Sequence, residues 1–374
     1  MPEQPIQDLA AALHDSYPEL EALRDAADAP IYLVGGAVRD LLLGKGRTDL
    51  DLVVVGDATA LAAKLGAEIV AHERFATAKV RLDGHEIDIA AARIESYSEP
   101  GALPDVEQTD EIGKDLGRRD FTINAMAIAL SDAPQLIDPY DGQGDLKQRL
   151  LRALHPESFV DDPTRALRAA RYAARLDFEL EAGTESLLRE TELGTVSADR
   201  REAELLRLAA EPNAARGFEL LSGWGLVPTR PGGIELAQRV IALLAEPPWS
   251  EVAPRDRAVL AAAIGPTGEE HELSAATPAR PSEAVELAHD RAPIELALAR
   301  ALGGEWLDRY LLEWRSVGLE INGSDLLAAG IGEGPALGRG LGEALRRKLD
   351  GEISGKEQEL EVALLAARSG DGVA

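Results

Sequence analysis

The chain has 374 residues, 45% of them hydrophobic, which is enough for two to four domains with real cores. No apolar run approaches the roughly 18 residues of a membrane span, no basic leader precedes an apolar stretch at the N-terminus, and the absence of Cys excludes disulfides and thiolate metal sites. A soluble cytoplasmic protein is expected. Taken by itself, the net charge of −27 argues against a nucleic-acid binder, since phosphate neutralisation needs Lys and Arg. That charge is uneven, however. Residues 146–207 carry 11 Lys and Arg against 12 Asp and Glu, leaving −26 for the rest.

In chain order, residues 5–28 read as one amphipathic helix, with Ile6, Leu9, Leu13, Leu20 and Leu23 near a 3.6-residue period and Pro30 as its stop. From 31 to about 145 the pattern is mixed. Strands are expected at 31–34, 49–55, 77–82 and 86–92, and helices at 36–43, 57–66 and 118–130. The turn-rich stretch 98–113, "SEPGALPDVEQTDEIG", reads as a loop. From about 146 the strand signals stop and Ala/Leu/Arg/Glu helices follow, with 265–283 as a linker or surface loop. The expected division is an N-terminal helix (1–30), an α/β head (31–145), a helical neck (146–230) and a helical body and tail (231–374).

Chemistry concentrates in "YLVGGAVRDLLLGKGRTDLDLVVVG", residues 32–56. Gly35 and Gly36 lie between a strand and a helix, where a ligand can approach the backbone and a phosphate can meet the helix N-terminus. A plain turn is the bland alternative. Arg39 could add a charged donor to the same phosphates. Asp49 and Asp51 are i and i+2 in a strand, so both carboxylates share one face while Leu50 and Leu52 take the other. Two adjacent anions repel unless a cation sits between them. Oxygen donors of this kind suit Mg²⁺, which takes one or two carboxylates plus substrate phosphates. A solvated strand face is the alternative, and the nearby Gly-Gly-x-x-Arg turn favours phosphate chemistry. Glu86 and Asp88 share a face in "GHEIDIAAAR". One of them would complete the acidic site, and Asp88, flanked by Ile87 and Ile89, is preferred.

These stretches resemble the ordered motifs of the class II tRNA nucleotidyltransferases and the related bacterial poly(A) polymerases, within the DNA polymerase beta superfamily. "LVGGAVRDLLLGKGRTDLDLVV" resembles the first motif and "RRDFTINAMAI" (118–128) the second. "LIDPYDGQGDLKQRLLRAL" (136–154), "DDPTRALRAARYAARL" (161–176) and "VSADRREAELLRLAA" (196–210) resemble the third to fifth. The resemblance implies a small mixed sheet with helices as the head, a long all-α body, and template-free addition of C and A to an RNA 3′ end. It also implies that Gly35, Gly36 and Arg39 contact the nucleotide and that Asp49 and Asp51 hold Mg²⁺. Arg119, with Asp120 and Asn124, would bind triphosphate and sugar. Asp162, Arg165, Arg168 and Arg171 would bind the incoming base and phosphates. One departure stands out: the fourth motif usually opens Glu-Asp, whereas Asp161-Asp162 opens it here.

The fourth motif has a chemical rationale of its own. Cytosine and adenine each present an amino donor beside a ring-nitrogen acceptor; guanine and uracil present a carbonyl instead. An Asp accepts only and an Arg donates only. Asp162 and Arg165, three apart on an expected helix, would therefore accommodate C and A and reject G and U. The bland reading is an ordinary helical ion pair.

The tail "LEINGSDLLAAGIGEGPALGRGLGEALRRKLDGEIS" (319–354) resembles that of many tRNA nucleotidyltransferases; with a helix from about Pro335, its core reads as a helix–hairpin–helix or, equally, as a plain Schellman-type helix stop. The acidic end favours tRNA over the poly(A) polymerases. The expected partners are tRNA, CTP and ATP, with no membrane. The six His are scattered and show no phosphohydrolase signature. CCA addition is the first reading. CC-only or A-only addition, poly(A) synthesis and an inactive RNA-binding protein are the alternatives.

Overall fold

The computed structural model describes residues 8–45, 49–65, 69–72, 77–82 and 84–369. The chain forms two compact units, Met1–Val227 and Pro228–Ala374. Positions 5–7 and 66 of the expected helices lie outside the described residues.

The first unit opens with α1 (Leu9–Ser16) and α2 (Leu20–Ala26). Asp8 caps α1 by accepting from the Ala11 N–H at 3.0 Å. The single helix expected at 5–28 is thus two. Pro18 disfavours helical backbone at Tyr17, which leaves the helical region and buries its ring.

A seven-stranded sheet follows, in the order β3-β4-β5-β2-β1-β8-β9. Its strands are β1 (Ile31–Val34), β2 (Leu50–Val54), β3 (Ile69–His72), β4 (Thr77–Leu82), β5 (His85–Ala91), β8 (Ala127–Ala129) and β9 (Gln135–Ile137). A separate hairpin pairs β6 (Arg93–Ser96) with β7 (Asp105–Gln108). It occupies part of the stretch expected to be a loop. Helices α3 (Gly36–Leu42) and α4 (Ala58–Lys64) follow β1 and β2, and α5 (Ile112–Gly117) follows the hairpin. β2 and β5 run parallel, with β1 antiparallel to β2 on its other side. Leu50, Leu52, Ile87 and Ile89 point into the core and are at most 1% exposed.

The helix expected at 118–130 is absent. Phe121 is extended, Thr122–Asn124 make one 3₁₀ turn, and β8 pairs with both β1 and β9. Residues 120–128 are buried throughout. An apolar run buried on every side carries no period that separates helix from strand.

Helices α6 (Gly142–Gln148), α7 (Ser158–Asp161), α8 (Thr164–Leu176), α9 (Ala182–Arg189), α10 (Ala198–Ala210) and α11 (Ala214–Gly223) complete this unit. Strand structure does not stop at 146: β10 (Leu150–Leu151) and β11 (Glu179–Leu180) form a two-residue parallel pair. Side chains from α1, the sheet, α8 and α9 share one core that runs from Leu13 to Leu188.

The second unit is helical: α12 (Gly233–Leu243), α13 (Arg255–Ile264), α14 (Glu270–Ala275), α15 (Pro281–Ala288), α16 (Pro293–Leu302), α17 (Trp306–Arg309), α18 (Gly323–Ala328), α19 (Pro335–Leu349) and α20 (Lys356–Arg368). The stretch 265–283 is not a linker. It contains α14, whose Glu270 makes a buried 2.6 Å ion pair with Arg230. The start of α19 at Pro335 is as expected, and Ile331 packs between α18 and the last two helices.

Candidate active site

A cavity of about 720 Å³ opens in the first unit, among the ends of β1, β2 and β5, the 118–124 turn, α8 and α10. Gly35 and Gly36 form its floor. Gly35 has φ +68, and a β-carbon there would lie 2.9 Å from Arg119 Nη1. The position therefore needs glycine for its backbone conformation and for space.

Asp51 of β2 and Asp88 of β5 are register partners on adjacent parallel strands, and both line the cavity. Burial pushes the Asp51 carboxyl up; Arg119 opposes this, while Asp88 and Asp49 push it further. Asp88 accepts from Lys79 Nζ at 3.0 Å, whereas Glu86 is paired with Arg81. Of the two β5 carboxylates weighed in the sequence, the register sets Asp88 beside Asp51. Asp49 lies one residue before β2, is exposed and stands outside the cavity wall.

Arg119 reaches the Gly35 turn from the opposite side. Its Nη2 donates to Asp115 at 3.0 Å, and its buried Nε has no partner among the described residues. Asp120 accepts from the Phe121 N–H, from Asn124 Nδ2 and from Arg168 Nε at 2.8 Å. Burial would raise this carboxyl, but Arg168 and the hydrogen bonds bring it down to about 2. Asn124 accepts from Arg39 Nη1 at 2.7 Å.

Arg39 differs from expectation. It is 2% exposed and does not reach the cavity, because its donors are taken by Asp40 and Asn124. It braces Asn124 from behind. Arg171 also stands outside the cavity wall. It lies 4.7 Å over the Tyr172 ring and pairs with Glu204 and Glu211. Arg168 does line the cavity.

Asp162 and Arg165 line the same cavity but do not form the helical ion pair weighed above. Asp162 precedes α8, where its carboxylate accepts from the Thr164 N–H at 3.0 Å, Thr164 Oγ1 at 2.7 Å and Arg200 Nη2 at 2.9 Å. Arg165 is held by Ser158 Oγ at 2.8 Å and by the Arg118 carbonyl at 2.7 Å. Asp161, in the place of the usual Glu, faces His155 at 3.9 Å and leaves the arginine to Ser158.

Three participants escaped the sequence reading: Asp115, Tyr172 and Arg200. Asp115 had a signal, since it stands three and four residues before Arg118 and Arg119, the spacing of helical neighbours. Arg200 reaches Asp162 across 38 positions, and no local pattern reveals that.

The match to known proteins follows the same lines. Residues 31–152 match the family model described as the Poly A polymerase head domain. Over 353 residues the chain is 36% identical to a CC-adding tRNA nucleotidyltransferase of Deinococcus radiodurans, covering 90% of this chain and 89% of that protein. The chain belongs to the tRNA nucleotidyltransferase family. An A-adding relative from Halalkalibacterium halodurans is 45% identical over 204 residues, which is 51% of this chain and 48% of the relative. The chain thus spans about half the length of that relative. The solved structure of the Thermotoga maritima CCA-adding enzyme complexed with tRNA_CCA superimposes with a TM-score of 0.73 at 30% identity, covering 97% of this chain and 99% of that one.

Nucleotidyltransferases of this family generally use a divalent metal. Among the described residues no three metal-ligating side chains form a ready-made cluster. The donor set nonetheless fits a hard cation that takes one or two carboxylates and completes its shell from substrate phosphate. Asp51 and Asp88 are adjacent, Asp49 is close enough to act on Asp51, and a cation would relieve their mutual repulsion. No helix among the described residues is long and apolar enough to cross a membrane.

Proposed function

We propose that this chain adds C and A nucleotides to the 3′ end of tRNA, from CTP and ATP, with release of pyrophosphate. The observation that carries the reading is an acceptor, Asp162, and a donor, Arg165, lining the same cavity as the Asp51–Asp88 pair. Asp51 and Asp88, with Asp49, would hold Mg²⁺. When bound, such an ion polarises the attacking hydroxyl and offsets phosphate charge. Gly35 lets the triphosphate approach the backbone, and Arg119 offers Nε and Nη1 to it. Asp162 accepts from the amino group of C or A while Arg165 donates to the ring nitrogen. Both are prepaid in orientation, through Arg200 and Thr164 on one side and Ser158 and Arg118 on the other. The RNA 3′-hydroxyl attacks the α-phosphate in line, so positioning and electrostatics suffice and no side-chain nucleophile is needed.

The test uses tRNA transcripts ending before the terminal CCA or after CC, and an unrelated RNA. Each is incubated with Mg²⁺ and CTP, ATP or both. Three nucleotides added to the first transcript are expected. The second reading, CC-only addition, is favoured by the likeness to a CC-adding enzyme along nearly the whole chain. It predicts a stop after two. Addition only to the CC-ended transcript would mean an A-adding enzyme, long tails on every RNA would mean poly(A) synthesis, and no addition would leave an RNA-binding protein.

A further inference from the structure

Three charged residues stand in one row across the sheet. β4, β5 and β2 are neighbours, and their register sets Lys79 opposite Asp88 and Asp88 opposite Asp51. Register partners share a face of the sheet, so the row reads ammonium, carboxylate, carboxylate. Lys79 Nζ lies 2.9 Å from Asp88 Oδ1 and 3.0 Å from Oδ2, so it bridges both oxygens. Lys79 does not line the cavity; it reaches the acidic pair through Asp88, from the side away from Asp51.

The adjacent row of the same strands offers a comparison. Arg81 is the register partner of Glu86 and pairs with it at 2.7 Å, on the same face. Lys79 and Asp88 are 53% and 48% exposed, and the Arg81 pair is more exposed still, so neither pair adds much to stability. The carboxylate separates them. Glu86 stands outside the cavity wall, whereas Asp88 lines it beside Asp51. A divalent ion shared by Asp51 and Asp88 needs an oxygen that Lys79 already holds, and it meets a positive charge one side chain away.

We propose that Lys79 is a positioning residue that competes with the divalent metal for Asp88, and so keeps the metal weakly held until nucleotide is present. The inference rests on the reading of Asp51 and Asp88 as the metal pair. Lys79 relieves part of the repulsion between the two carboxylates in the metal-free protein. Asp88 gives up Lys79 where substrate phosphates bring further oxygens to the ion, so metal is taken up together with the nucleotide.

The probe is Mn²⁺, titrated into full-length, nucleotide-free protein and read as loss of the free-ion EPR signal. Thermal unfolding checks each fold. Lys79→Gln should bind Mn²⁺ about tenfold more tightly than wild type. Lys79→Arg keeps the charge and should stay within about threefold of wild type, as should Arg81→Gln, which removes a cation one row away. In an Asp88→Asn background the effect of Lys79→Gln should vanish, because the shared carboxylate is gone.

Unchanged or weaker Mn²⁺ binding by Lys79→Gln would overturn the inference. So would an equal gain in Arg81→Gln, which would mean diffuse charge rather than competition for Asp88, or a gain that persists in the Asp88→Asn background. Wild type and Asp51→Asn binding Mn²⁺ equally well would instead bring down the reading of the acidic pair itself.

Discussion

At the residue scale, Asp51 and Asp120 show how one cavity uses two carboxylates in opposite ways. Asp51 is pushed up by burial and by its neighbours Asp88 and Asp49, so its charged form is disfavoured in this fold. A residue that destabilises while charged is expected where a ligand later supplies the missing cation. Asp51→Asn should therefore abolish nucleotide addition, by a factor of about 10³ or more in kcat. It should leave the unfolding midpoint unchanged or slightly raised, as a thermal melt beside a turnover assay would report.

Asp120 is the reverse case. Its folded carboxyl sits at about 2, below its ordinary unfolded value. The stability it contributes is present above the unfolded value and is lost as pH falls through about 2. Asp120→Asn leaves the half-buried Arg168 beside a neutral partner and should cost about 2 kcal/mol at neutral pH. Denaturant unfolding at pH 7 and again near pH 2.5 should show the gap between wild type and variant shrinking on acidification. A gap that holds constant would mean that Asp120 is not paired in the folded protein.

At the element scale, the local signals that proved readable were those with a clear period or a stop. The strands at 31–34, 49–55, 77–82 and 86–92 and the helix after Gly35 match what forms. The strand alternation turned Asp51 and Asp88 away from the core-facing Leu and Ile side chains; that the two meet depends on β2 pairing with β5. What failed was the helix expected at 118–130, where burial of 120–128 on all sides erases the period, and the 5–28 segment, where Pro18 outweighs the helical stripe. Placement across the fold was equally unreadable. Nothing in "VRD" announces that Arg39 ends up beneath the cavity, bonded to Asn124 over 85 positions.

The turn between β1 and α3 carries the strictest local demand. Gly35→Ala meets a positive φ and an Arg119 nitrogen 2.9 Å away. Arg119 must yield, so KM for CTP and ATP should rise about tenfold or more while the fold loses only about 1–2 kcal/mol. Unchanged nucleotide KM would mean that Arg119 does not reach the triphosphate.

At the scale of the whole molecule, the proposed function asks a −27 protein to bind a polyanion. Many of its cations are already paired internally. In the second unit Arg346 and Arg347 both hold Glu343, and Lys348 holds Glu359. Few phosphate contacts then remain available, and shape must contribute to holding the RNA. The salt dependence of tRNA binding should be shallow, equivalent to about two to four phosphates. A filter-binding titration between about 50 and 200 mM salt would measure that slope. A slope near that of eight or more would contradict the picture.

The proposed function has Asp162 and Arg165 stand in for a template. It is tested most directly by single-turnover addition of each of the four nucleoside triphosphates to a tRNA lacking CCA, with wild type and Asp162→Ala side by side. Wild type should take C and A and exclude U and G, and Asp162→Ala should lose that discrimination by about 10² while still transferring nucleotide. An Asp162→Ala variant that transfers nucleotide and still selects C and A as wild type does would contradict it.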